Sequence, residues 1–172
     1  AVALAELEER GVYVAVRVCC FRDDAVPYYD ASVGLRSGDG NWRDDLGLRW
    51  MSPGSPAAQS YVAGLCGELA AMGVDEIVLE QFAFPTAGDL TRINAGETYD
   101  PESFSTQLQA FLSQVGQVLA PYETRLSLRV DGTMLDQPPD SGLTAALVEQ
   151  TAARVWTGAG ELTAAQTEEV GG

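Results

Sequence analysis

Strand-like runs alternate with helix-length, apolar-periodic segments along almost the whole chain, and that alternation implies a parallel sheet built from right-handed crossovers. Gly11 to Phe21 opens the pattern, with Val12, Val14, Val16 and Val18 on one face and Tyr13, Ala15, Arg17 and Cys19 on the other. The central run is Gly73 to Pro85. There Ile77 and Leu79 share one face, while Val78, Glu80 and Phe82 take the other. Thr124 to Asp131 sets Leu126, Leu128 and Val130 against Ser127, Arg129 and Asp131, and Arg154 to Thr157 reads as a short fourth strand.

The connecting segments carry helix signals. Ala1 to Arg10, with Leu4 and Leu7 at helical spacing, stops at Gly11. Ser55-Pro56 pairs a capping hydroxyl with proline at the first helical position, ahead of a stripe of Val62, Leu65, Leu69 and Met72. Asp100-Pro101 opens the next helix in the same way, with Phe104, Leu108, Phe111, Leu112, Val115 and Leu119 as its stripe. A third helix carrying Leu143, Ala146 and Leu147 is expected to be capped by Asp140 or Ser141, and Glu161 to Val170 reads as a weak helix or tail.

An open sheet covered by helices on both faces has no place for Arg17, Glu80, Arg129 and Asp131, which all fall on one face. A (β/α) barrel takes polar side chains at its C-terminal mouth, where catalytic groups sit. The expected class is therefore α/β, a parallel TIM-barrel-like (β/α) barrel forming a single domain over 1–172. About four strand-helix units is half of a closed barrel, so the expectation is a partial one with edges that must pair with something.

Composition narrows the partners. Against 25 acidic residues stand 10 basic ones, all Arg, which disfavours nucleic acid and anionic membrane surfaces. No apolar run approaches the length of a membrane span. The chain has no His, which removes Ser-His-Asp triads, Cys-His pairs and the usual zinc sites. Cys19, Cys20 and Cys66 are expected to be reduced core thiols. No cofactor or metal is expected: carboxylates alone can hold Ca2+, but no spaced acidic loop of the usual calcium type occurs.

Arg22 to Ser55 is too long and irregular for a simple connection, and long ordered loops in this position are commonly functional. Asp23, Asp24, Trp42, Asp44 and Trp50 are expected either to line a polar, aromatic-edged cleft or to pin a solvated loop. Gln81 follows Glu80 at the same strand outlet, and Thr86 to Tyr99 is a second loop.

The run Gly11 to Asp23, the loop from Trp42 to Trp50 ending in Ser52-Pro53, and the stretch Asp75 to Pro85 together resemble the bacterial family known as the putative glycosyl hydrolase domain. The likeness covers roughly Leu4 to Trp156. It implies a fold related to α-amylase-like (β/α)8 barrels, carbohydrate as the ligand, and an extracellular or cell-envelope location. Two motifs depart from the family's pattern. Glu80 stands where the family usually has aspartate, and Ala83 where it has arginine. On the later strand Arg129 occupies the aspartate position, and Asp131 lies two residues on, on the same face.

Glycoside hydrolysis needs two carboxyl groups roughly 5–9 Å apart across the scissile bond, one of them protonated. Glu80 and Asp131 are the candidate catalytic pair, with Arg17 or Arg129 holding one of them ionised as nucleophile or base. Arg17, Asp23, Trp42, Trp50, Gln81 and Arg129 are the candidate substrate-binding residues, and Trp42, Trp50 or Tyr28 could stack on sugar rings. Two other readings stay open: a non-catalytic glycan-binding or degenerate barrel, and a scaffold in which two partial barrels complete each other as a homodimer.

Overall fold

A computed structural model describes residues 2–38, 40–130 and 140–157. Its main sheet has four parallel strands, β1 (Ala15–Cys19), β4 (Glu76–Glu80), β5 (Arg125–Arg129) and β6 (Val155–Trp156), in the order β1-β4-β5-β6. Helix α1 (Val2–Glu9) precedes β1, α3 (Pro56–Ala71) links β1 to β4, α4 (Phe104–Leu119) links β4 to β5, and α5 (Ala145–Thr151) links β5 to β6. This is a partial (β/α) barrel, as the alternation and the polar strand face together implied.

Register sorts the side chains into two faces. Val16, Ile77 and Leu126 lie in one row and Val18 and Leu79 in the next, with Leu128 and Val155 beyond them, all facing the helices. They join Val62, Ala63, Cys66, Leu108, Phe111 and Val115 in one apolar core. Residues in register in a parallel sheet point the same way, so the opposite face carries Ala15, Glu76 and Arg125, then Arg17, Val78 and Ser127, then Cys19 and Glu80. On this face Tyr13, Ala15, Arg17 and Cys19 are exposed, so the barrel interior is open along β1.

The helix starts follow their caps. Ser55 Oγ accepts from Ala58 N at the head of α3. Asp100 caps a short 3-10 turn, Pro101–Ser103, which runs into α4. The cap expected at Asp140 or Ser141 falls instead on Thr144, whose hydroxyl accepts from Leu147 N. Gly142 explains the shift: its φ is +78, and its backbone presses on Phe104, where a Cβ would lie 2.7 Å from the carbonyl carbon, so the helix cannot begin until the chain has passed that contact. Met72 is the α3 C-cap and Val12 precedes β1. Both are exposed rather than part of an apolar stripe. Cys20 and Cys66 are core thiols, and burial pushes Cys66 up to about 11, but Cys19 is exposed on the open face. The expected segment from Glu161 to Val170 lies outside the described residues.

The long connection after β1 is folded onto the core. It holds the short helix α2 (Val26–Tyr29) and the hairpin β2 (Arg36–Ser37) and β3 (Gly40–Asn41). Backbone bonds from Leu35 N to Trp50 O, Ser52 N to Val33 O and Met51 N to Phe21 O fasten it, and Phe21 packs against Phe111 at 4.8 Å between ring centres. The loop after β4 is lashed to the hairpin, with Asn94 donating to Gly38 O and accepting from Gly38 N. These two loops form the rim above the carboxyl ends of β1, β4 and β5.

Candidate active site

Glu80 is the last residue of the central strand, and the strands beside it each supply a guanidinium. Arg17 Nη1 lies 3.6 Å and Arg129 Nη1 3.4 Å from Glu80 Oε2, and the glutamate side chain is 22% exposed. Exposed ion pairs of this length contribute at most about 1 kcal/mol each, so their effect is to orient the carboxylate rather than to hold the fold. Gln81 follows with φ 52, the one left-handed non-glycine among the described residues. Its carbonyl accepts from Phe21 N while Cys20 N donates to Glu80 O, so β1 and β4 stay joined through the turn despite the strain.

Above Glu80 lies a cavity of about 390 Å³, lined by Glu80 at the end of β4, Gln81 and Phe84 just after it, Arg129 from β5, and Arg22, Asp44, Asp45 and Trp50 from the first loop. Asp44 organises the loop side. Its carboxylate accepts from Leu46 N, Leu48 N and Trp50 Nε1, each at 3.0 Å, and pairs with Arg22 Nη2 at 2.7 Å. Burial alone would raise its pKa, but the Trp50 indole, the Leu48 amide and the Arg22 charge outweigh it and hold the carboxyl below the usual aspartate range. Arg22 Nε is buried and finds no acceptor among the described residues, and Arg22 lines the cavity.

The structure thus brings Glu80, Gln81, Arg129 and Trp50 to one cavity, with Arg17 reaching its floor through Glu80. It does not bring Asp23 or Trp42 there. Asp23 Oδ1 accepts from Ala25 N and Val26 N, bracing the turn that leads into α2. Trp42 is buried beside Gly88 and donates its indole N–H to Asp89 O at 3.0 Å, a rim-binding role. Tyr28 sits over the Arg49 guanidinium, and Asp24 pairs with Arg43 and Arg49 on the surface. Asp131 lies outside the described residues.

Sequence reasoning passed over Glu76, the most enclosed carboxylate. Its side chain has no exposure, and it accepts from Tyr13 Oη at 2.7 Å, Arg154 Nη1 at 2.8 Å and Trp156 Nε1 at 2.9 Å. Burial would raise its pKa, yet these donors and the Arg154 charge lower it. The Ser127 hydroxyl, outside hydrogen-bond geometry, faces the carboxylate and also favours the ionised form. The signal was present, because Glu76 stands four residues before Glu80 and so shares its face. Arg22 and Asp45 were likewise passed over. Among the described residues no group of three or more His, Cys, Asp or Glu is placed to hold a metal ion, and no helix is long and apolar enough to cross a membrane.

Residues 1–155 match the sequence profile of the family described as a putative glycosyl hydrolase domain. The chain belongs to that family. No curated protein matches the chain. Among solved structures it is similar to the glycoside hydrolase domain of PgaB (BpsB) from Bordetella bronchiseptica, with TM-score 0.61 and 14% identity over 91% of this chain and 53% of that one. It is similar also to the glycoside hydrolase domain of PelA from Pseudomonas aeruginosa, with TM-score 0.55 and 18% identity over 91% and 54% of the two chains. Ega3 of Aspergillus fumigatus, solved in complex with galactosamine, aligns with TM-score 0.52 and 13% identity over 98% and 72%. At these identities the likeness is one of fold. The chain spans about half the length of the PgaB and PelA structures.

Proposed function

We propose that this chain binds and cleaves a poly- or oligosaccharide at the cavity above Glu80, with Glu80 as one of two catalytic carboxyl groups and Asp131 as the other. The observation that carries the reading is the position of Glu80. It ends the central strand at the carboxyl end of the sheet, where barrel enzymes place their chemistry, and it is open to a cavity large enough for a sugar unit. With a guanidinium on either side, Glu80 takes the anionic role of nucleophile or base, and Asp131 the role of acid. Trp50 offers an aromatic edge, and Gln81, Arg129 and Arg22 offer polar groups for hydroxyls. The net charge of −15 favours a neutral or cationic glycan over an anionic one, and the galactosamine bound to Ega3 makes an amino sugar the first to try.

The test is release of reducing ends from a panel of neutral and amino-sugar oligomers by the parent chain and by Glu80→Gln. Loss of turnover with binding kept supports the reading, and undiminished turnover by Glu80→Gln overturns it. Binding without turnover in the parent supports the non-catalytic glycan-binding alternative.

A second reading follows from the open face of β1 and from β1 and β6 each having one unpaired edge among the described residues. A second copy of the chain that completed the wall would appear as a concentration-dependent dimer in sedimentation. A monomer at all concentrations would remove this reading.

A further inference from the structure

Each carboxylate on the cavity wall can be followed to its partners, and one is left over. Glu80 faces Arg17 and Arg129, and Asp44 is saturated by Arg22, the Trp50 indole and two backbone amides. Asp45 is exposed, lines the same cavity, and has no hydrogen-bond or ion-pair partner among the described residues. The cavity is therefore polarised, with guanidiniums around Glu80 on the strand side and an uncompensated anion on the loop side.

The Asp45 backbone is held in place. Gly47 N donates to Asp44 O at 2.9 Å, closing a tight turn with Asp45 as its second residue, and Gly47 takes φ +76 to leave it. Asp44 N donates to Leu48 O, and the backbones of Arg43 and Arg49 form an antiparallel bridge across the base of the turn. From the other loop, Gly88 presses so close that a Cβ there would lie 3.3 Å from Asp45 N. A carboxylate on a fixed backbone, facing a cavity whose other anions are already neutralised, is suited to receive a single positive charge.

We propose that Asp45 recognises the ammonium group of an amino sugar unit in this cavity and so sets a preference for cationic over N-acetylated glycan. The inference rests on the glycan reading above and deepens it by naming substrate class and residue. Because Asp45 is exposed, water solvates its carboxylate when no ammonium is present, so the preference it sets is that of an exposed ion pair, a few-fold in affinity.

The test is calorimetric titration of the parent chain, Asp45→Asn and Asp45→Glu with galactosamine oligomers and with the same oligomers N-acetylated. The parent is expected to bind the free-amine oligomer about threefold more tightly. Asp45→Asn is expected to lose that preference through weaker binding of the free-amine oligomer and to leave the N-acetylated one unchanged, while Asp45→Glu recovers part of the preference. Equal weakening of both ligands, or no change in either, overturns the role of Asp45 and leaves the glycan reading standing. A parent chain that binds neither oligomer overturns both. Thermal unfolding of Asp45→Asn, expected to match the parent because the side chain is exposed, shows that any loss is not one of folding.

Discussion

Replacing Glu76 by Gln keeps the shape of the side chain and removes its charge. One carboxylate oxygen accepts from Trp156 Nε1 and the other from both Tyr13 Oη and Arg154 Nη1. An amide has one accepting oxygen, so its NH2 must face either the indole donor or the phenol and guanidinium. At least one hydrogen bond to a charged group is lost, worth about 1.5–3 kcal/mol, and a donor is left opposing a donor in a site with no water access on the glutamate side. Tyr13 and Arg154 are partly exposed and can turn to solvent, which limits the total to about 2–4 kcal/mol. For a domain of this size that lowers Tm by about 5–15 °C.

The pH dependence gives the prediction a second arm. The folded-state pKa of Glu76 is depressed, so its stabilisation is full above the pKa of the unfolded chain and is lost as pH falls through the folded value. Scanning calorimetry of both proteins should therefore show the widest gap near neutral pH and a narrowing gap on acidification. Equal Tm values at pH 7, or a gap that does not change with pH, would refute the reasoning.

Two other substitutions probe how the site is held. Gly88→Ala places a Cβ 3.0 Å from the Trp42 ring and 3.2 Å from Asp44 Cα at φ +93. It should cost about 2–3 kcal/mol in denaturant titration and weaken glycan binding by moving the Asp44 turn. Gln81→Gly relieves the left-handed residue after Glu80, so stability should hold or rise by up to about 1 kcal/mol while any contact of the Gln81 side chain with sugar is lost, measured as unfolding midpoint and affinity on one preparation.

The parts of the fold that came directly from the sequence are those where one local rule is enough. The valine alternation before Cys19, the Ser55-Pro56 cap and the Phe104 to Leu119 stripe each state their structure in a few residues. What stayed hidden depends on residues far apart in the chain. Glu76 reads as a charge at the start of a strand until Tyr13, Arg154 and Trp156 arrive from 63, 78 and 80 residues away. Trp42 and Trp50 look alike in sequence, and only the packing of Gly88 against one and the Asp44 carboxylate on the other assigns the first to the rim and the second to the cavity. The late helix start was obscured because Gly142 is constrained by Phe104, nearly forty residues earlier. Glu80 was legible because an acid on an otherwise apolar central strand is conspicuous, and its two arginines followed from the register of the neighbouring strands.

The most direct measurement is a crystal structure of the Glu80→Gln chain grown with a galactosamine oligomer. The account predicts a sugar unit in the cavity between Gln81, Trp50 and Arg129, with the position-80 side chain at its ring and an amine within hydrogen-bonding reach of Asp45. Sugar bound instead on the helical face of the sheet, with this cavity holding only solvent, would contradict it.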